Sequence, residues 1–173
     1  TAIAILQLYE AGKIELDVPV QTYLPEFPKK EKGEITVRHL LYHASGLGGY
    51  QSKKERENKK HYANLEAAVK IFADRPLSFS PGSDFNYTTY GYVVLGRIIE
   101  SVSGQTYEDY MRQNIWDKAG MPNTGLEKFG ENYPHKSALF HAKKPGKIKA
   151  VKPTDLSDRI PGGGLYSCLP DML

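Results

Sequence analysis

Residues Ser80–Gly104, SPGSDFNYTTYGYVVLGRIIESVSG, decide how the rest of the chain is read. Pro81-Gly82 is a turn signal, and a short aromatic segment follows it. From Tyr90 onward, Tyr92, Leu95, Ile99 and Val102 recur at three- and four-residue spacing, which predicts an amphipathic helix. Gly104 supplies a stop able to take a left-handed conformation. Tyr87 then falls on the turn that enters the helix, where backbone N–H groups are free and a side chain can face a ligand. A phenol in that place can move protons, or it can fill the turn; the local pattern allows both.

Around this stretch the composition is that of a globular domain. The 173 residues are 40% apolar and 25% charged, with 11% aromatic residues and a net charge of +3. Lysines cluster at Lys53–Lys60 and Lys143–Lys152 among acids or small residues, as on solvated faces, and no basic helix interleaved with aromatics points to nucleic acid. Cys168 is the single cysteine, which excludes an intrachain disulfide and a cysteine-based metal site. No apolar run approaches the roughly 18 residues of a membrane span. The chain opens at Thr1 in what reads as mid-helix, and Pro170-Asp171-Met172-Leu173 reads as a first helical turn, so a segment of a longer chain is expected.

Taken in order, Ile3, Ala4, Leu6, Leu8 and Ala11 make the first helix apolar nearly all round, with Gly12 as its stop. Lys13 to Pro28, with its prolines, reads as an extended surface connector. Thr36 caps a short helix, Val37 to Ala44, that ends at Ser45-Gly46-Leu47. His43 and Ser45 are close in sequence, but no acid partner is evident, and a histidine bonded to a carbonyl beside a turn serine explains both. Residues 51–62 read as a polar loop or solvated helix in which His61 has no ligand companions. Asn64 caps a helix carrying Leu65, Ala68, Val69 and Phe72. Thr106-Tyr107-Glu108-Asp109 resembles a capping box and opens a helix to Ala119, with Tyr110, Met111 and Trp116 as core candidates. Ser137 to Ala142 and Ile148 to Val151 form a hairpin pattern around Pro145-Gly146. His135 and His141 have no carboxylate or cysteine at ligand spacing, so no metal site is expected. Gly162-Gly163-Gly164 lacks the lysine-serine/threonine ending of a phosphate-cradling loop.

Five blocks together resemble the serine β-lactamase and penicillin-binding-protein-like family, which includes class C β-lactamases, DD-peptidases and esterases. They are L-D-x-P-V-x-x-Y-x-P-E-F from Leu16, H-A-S-G-L from His43, the P-G-S-x-F-x-Y-T-T-Y-G-Y stretch from Pro81, G-Q-T-Y-x-D-Y-M from Gly104, and G-G-L-x-S from Gly163. The Y-[ST]-T form and the L-D-x-P-V-Q segment lean toward the mitochondrial serine β-lactamase-like proteins and their bacterial relatives. The resemblance implies an α+β protein of the β-lactamase/transpeptidase-like fold, of which residues 1–173 would be mostly the helical subdomain with few short strands. The N- and C-terminal parts of the α/β domain would be missing, and the first helix would then expose a large apolar face.

The resemblance also implies a serine acyl-transfer hydrolase acting on a small lactam, peptide or ester through an acyl-enzyme, with no cofactor. Tyr87, first residue of the Y-x-N motif, would transfer protons. Thr89, at the asparagine position, would bind substrate, with Tyr50, Gly163 and Gly164 lining the acyl side. Threonine keeps a hydroxyl but loses the amide's paired donor and acceptor, which favours peptidase or esterase activity over efficient β-lactam hydrolysis. A tyrosine base needs cationic neighbours, because a free phenol titrates near pH 10. The family takes these from S-x-x-K and from K-T-G or H-x-G. None of the ten serines has a lysine three positions on, and neither K-T-G nor H-x-G occurs, so the segment alone is expected to be inactive. An extracytoplasmic setting, bacterial periplasm or cell envelope, is implied, or a mitochondrial one in a eukaryote. Two other readings remain: an inactive scaffold or binding protein on the same fold, and a helical interaction domain with a structural Tyr87. The last predicts no concave pocket around Tyr87, Tyr50 and Gly164.

Overall fold

The computed structural model describes residues 1–57, 59–133, 136–144, 147–151 and 154–173. Its helices in chain order are α1 (Ala2–Glu10), α2 (Val37–Leu41), α3 (Lys53–Arg56), α4 (Leu65–Val69), α5 (Thr89–Ser103), α6 (Tyr107–Met111), α7 (Ile160–Gly163) and α8 (Leu169–Met172). Strands β1 (Gly125–Leu126) and β4 (Leu165–Tyr166) pair antiparallel, and β2 (Phe140–Lys144) and β3 (Lys147–Ala150) form a separate antiparallel ribbon. The architecture is that of the expected α+β fold, mostly helical with few short strands.

The Ser80–Gly104 stretch forms the central helix. Gly82 turns the chain at φ +83°, Thr88 caps α5 by accepting the Tyr90 N–H at 3.3 Å, and Gly104 ends it at φ +71°. Leu95 and Ile99 are buried as expected, and Tyr92 and Val102 half-buried, but Tyr90, Val93, Val94 and Ile98 are buried too. The helix is therefore not a one-faced surface helix. Helices α1, α2, α4, α6 and α7 all pack against it, and each is too short to bury a core of its own. Burying each large aliphatic side chain contributes about 1.5–3 kcal/mol, so this helix supplies much of the driving force.

The connector differs from the surface segment expected for it. Ile14, Leu16, Val20, Leu24 and Phe27 are all buried. The prolines stiffen the segment, and an isolated bridge from Pro19 to Thr36 holds it against the start of α2. Helix α2 ends at Leu41 rather than Ala44, because His43 adopts a left-handed φ of +56°. The helix opened by Thr106 is also interrupted: after α6 the chain continues as a π-helical turn, Arg112–Trp116, which sets the Trp116 indole into the core. In α1, Ala4, Ile5 and Leu8 face inward while Ile3, Leu6 and Tyr9 form an exposed apolar stripe. The hairpin pairs as expected; its Pro145-Gly146 turn and His135 lie outside the described residues. No helix among the described residues is long and apolar enough to cross a membrane.

Candidate active site

Tyr87 lies two residues before α5 and is 66% exposed. It stands at a cleft of about 240 Å³ lined by His43, Tyr87, Thr88, Thr89, Tyr92 and Gly162. A larger hollow of about 630 Å³ lies beside α1, lined by Gln7, Glu10, Lys13, Gln113 and Lys118 among others, and the Ser103 hydroxyl on its wall donates to the Ile99 carbonyl at 2.6 Å. Chemistry, not volume, places the candidate site at the smaller cleft.

His43 organises this cleft. Its ring centroid lies 4.5 Å from that of Tyr87 and 5.1 Å from that of Tyr92, nearly parallel to the latter. The Thr88 N–H donates to His43 Nδ1 at 3.4 Å, which leaves the remaining ring proton of the neutral imidazole on Nε2. Partial burial lowers the His43 pKa and favours that neutral form. This differs from the carbonyl-bonded histidine expected from sequence: the ring accepts a hydrogen bond, and the backbone carbonyl of His43 separately accepts the Asn86 N–H at 2.9 Å. Ser45 Oγ accepts from the Leu47 N–H at 3.3 Å and takes its place in a turn, apart from His43.

The same neighbourhood is laced across. Gly82 N–H donates to the Ala44 carbonyl at 2.8 Å, Asn86 Nδ2 to the Leu47 carbonyl at 3.3 Å, and Thr88 Oγ1 to the Gly48 carbonyl at 3.2 Å. Residues 43–48 and 82–88 thus form one continuous wall.

The remaining expected positions fall differently. Thr89 lines the cleft, and its side chain and carbonyl abut Gly162, where a Cβ would come within 2.7 Å of Thr89 Cγ2. Gly162 is therefore the glycine of the triplet that reaches the cleft. Gly163 has open space around it, and Gly164 is required by its approach to the Ile160 backbone, where a Cβ would lie 2.8 Å from Cα. Neither lines the cleft, and neither does Tyr50. Tyr50 packs edge-on to Tyr90 at 5.0 Å with the Arg159 guanidinium 4.7 Å above its ring. Burial pushes the Tyr50 phenol up, and the nearby Thr89 hydroxyl offsets part of the rise without completing a well-formed hydrogen bond. Below it, Tyr90 stacks on Phe72 at 4.2 Å and donates to the Glu55 carboxylate, which Arg75 also holds at 2.8 Å. Tyr50 packs into this supporting layer through Tyr90 and Arg159.

His61, expected to stand alone, finds Asp155 Oδ2 at 2.9 Å from its Nδ1, an acid partner 94 residues away. No group of three or more metal-ligating side chains occurs among the described residues. Sequence reasoning missed Gly162 as a cleft residue and His43 as the ring partner of Tyr87; the H-A-S-G-L block was the available signal for the latter.

The cleft thus sets a water-facing phenol against an imidazole beside the positive end of a 15-residue helix, groups that are able to exchange protons. Comparison with known proteins agrees in class. A family model described as Beta-lactamase matches residues 1–173, and the chain belongs to that family. It is 29% identical to the human protein described as "Serine beta-lactamase-like protein LACTB, mitochondrial", covering 100% of this chain and 44% of that protein. It is 30% identical to a Staphylococcus aureus teichoic acid D-alanine hydrolase, covering 99% and 41%. The crystal structure of a penicillin-binding protein from Bacillus halodurans superposes with a TM-score of 0.78 at 30% identity, covering 99% and 54%. The chain spans less than half the length of these two curated relatives.

Proposed function

We propose that the protein carrying this chain is a serine acyl-transfer hydrolase that works through an acyl-enzyme. The observation that carries this reading is Tyr87 at the cleft mouth, beside the N-terminus of α5, with its ring tilted against that of His43 at 4.5 Å. In the proposed cycle a serine outside residues 1–173 attacks the substrate carbonyl, and its proton passes to the paired lysine and Tyr87. That proton then leaves on the departing group, and water releases the acyl group by the reverse transfers. Thr89 presents a hydroxyl to the substrate, and Gly162 lets α7 close on the cleft.

Residues 1–173 would form mostly the helical subdomain, with the nucleophile block and the K-T-G or H-x-G strand contributed by the rest of the α/β domain. The exposed Ile3, Leu6 and Tyr9 stripe on α1 is the face such a domain would cover. Small D-amino-acyl esters or peptides are the favoured substrates. The hydroxyl at Thr89 and the described activity of the staphylococcal relative both support that class. An extracytoplasmic or mitochondrial setting fits the same relatives.

The test is covalent labelling of the whole protein by a fluorescent phosphonate or penicillin probe, beside a Tyr87→Phe variant. Labelling that slows at least tenfold in the variant supports the mechanism. Well-folded protein that neither reagent labels is an inactive scaffold, and the proposal fails.

A further inference from the structure

The β2–β3 ribbon takes no part in the cleft, yet it concentrates the charge of the chain. Residues 132–154 hold six of the 23 Lys and Arg residues and none of the 20 acidic ones. The remaining 17 basic and 20 acidic residues leave the rest of the chain at −3, so the whole positive excess lies in this stretch. Lys136 is matched by Glu127 at 2.5 Å. Lys143, Lys144, Lys147, Lys149 and Lys152 complete the set.

The pairing register then sorts the side chains. Phe140 lies opposite Ala150 and Ala142 opposite Ile148, so these four share one face, while His141 and Lys149 share the other. Leu139, Phe140 and Ile148 are 62%, 59% and 72% exposed. A lone two-stranded ribbon is marginal in water and gains nothing by showing large apolar groups to it. Both roots are nevertheless firm. On the outgoing side the Tyr133 hydroxyl donates to the Leu126 carbonyl at 3.1 Å and its ring lies 4.6 Å from that of Tyr166. On the return side Asp155 is buried against His61 and the Ser157 N–H.

We propose that this ribbon is a docking arm for an anionic phospholipid surface. Its lysine-rich strands are drawn to the head groups, while Phe140 and Ile148, on one face of the ribbon, enter the boundary beneath them. A soluble polyanion would engage the lysines and leave Phe140 and Ile148 in water. A lipid surface satisfies both sets, and that decides the occupant.

The experiment is co-sedimentation of the whole protein with vesicles of phosphatidylcholine alone or mixed with phosphatidylglycerol. Binding is expected to the mixed vesicles alone and to weaken with added salt. Each change of Lys143, Lys144, Lys147 or Lys149 to Gln should weaken it about fivefold. F140S/I148S should weaken it further while leaving the melting temperature unchanged, since neither residue is in the core. A Phe140→Trp variant reports insertion directly by a blue-shifted emission, over a constant background from the buried Trp116. Failure of the folded parent to bind anionic vesicles overturns the proposal, as does an unshifted emission from bound Phe140→Trp. Equal binding to soluble polyphosphate with no effect of F140S/I148S assigns the ribbon to a polyanion and also overturns it. So does self-association that F140S/I148S abolishes without any lipid binding.

Discussion

Gly96→Ala sets two effects of opposite sign against each other in the middle of α5. Alanine is favoured over glycine in a helix interior by about 1 kcal/mol, which taken alone predicts a more stable protein. A Cβ on Gly96, however, would fall 2.3 Å from Pro161 Cγ, 2.9 Å from Pro161 Cβ and 3.0 Å from Leu65 Cδ1. Carbon atoms in contact sit about 3.5–4.0 Å apart, so α7 would have to retreat by roughly 1 Å. The proline ring cannot swing aside as a flexible chain could. Its carbonyl is also held by Thr1 Oγ1 at 2.6 Å, and the next residue, Gly162, is pressed against Thr89. Overpacking costs about 1–3 kcal/mol, and an approach as close as 2.3 Å to a rigid ring belongs at the upper end, so a net loss of about 2 kcal/mol remains after the helix gain. For a protein of this size each kcal/mol lowers Tm by about 2–4 °C. Urea denaturation followed by Trp116 fluorescence measures the loss. Adding Pro161→Gly removes the opposing atoms and should recover much of it. A Gly96→Ala protein as stable as its parent would refute the close approach of α5 and α7, and with it the position of Gly162 on the cleft.

Thr88→Ala removes both the α5 cap and the bond to the Gly48 carbonyl; a loss of about 1–2 kcal/mol is expected in the same urea assay, and a change within a few tenths would contradict the capping role. Ile99→Ala opens a cavity at a fully buried position and should cost about 2–5 kcal/mol, against a negligible cost if α5 were a surface helix. Burial raises the Asp155 carboxyl, but bonds from Ser157 and His61 outweigh it and hold the group below the ordinary 3.8. Its contribution to stability is therefore complete above that value and lost as the pH falls through the lower folded-state value. Asp155→Asn should flatten the acid limb of the stability–pH curve, and an unchanged limb would rule the contribution out.

The central helix was legible because its signals are local: the Pro81-Gly82 turn and the Gly104 stop are read from adjacent residues, and the apolar spacing from one turn to the next, although the Thr88 cap was not read. The burial of Val93, Val94 and Ile98 was not, since it depends on how many short helices surround α5, and that is a property of the whole chain. Prolines marked residues 13–28 as an extended surface connector, but the segment runs through turns and a short 3-10 helix, Val20–Thr22, and its Ile14 and Phe27 are core residues, because packing and not proline content decides its path. At the site, Tyr87 and Thr89 were found by motif, and the structure brings both to one cleft. Tyr50, Gly163 and Gly164 belong to blocks near the cleft in the chain, yet Tyr50 packs on Tyr90, Gly163 faces open space and Gly164 packs on the Ile160 backbone. Only packing reveals that Gly162 is the glycine pressed on Thr89, or that His61 meets Asp155 across 94 residues.

The lacing of residues 43–48 to residues 82–88 bears on how these proteins can be recombined. Two motif blocks some forty positions apart act as a single heritable part, because each supplies the other's missing donors and acceptors. A chimera that takes the H-A-S-G-L block from one relative and the tyrosine turn from another must match both halves of this seam. Exchanging the two together carries the orientation of Tyr87 intact into a new host.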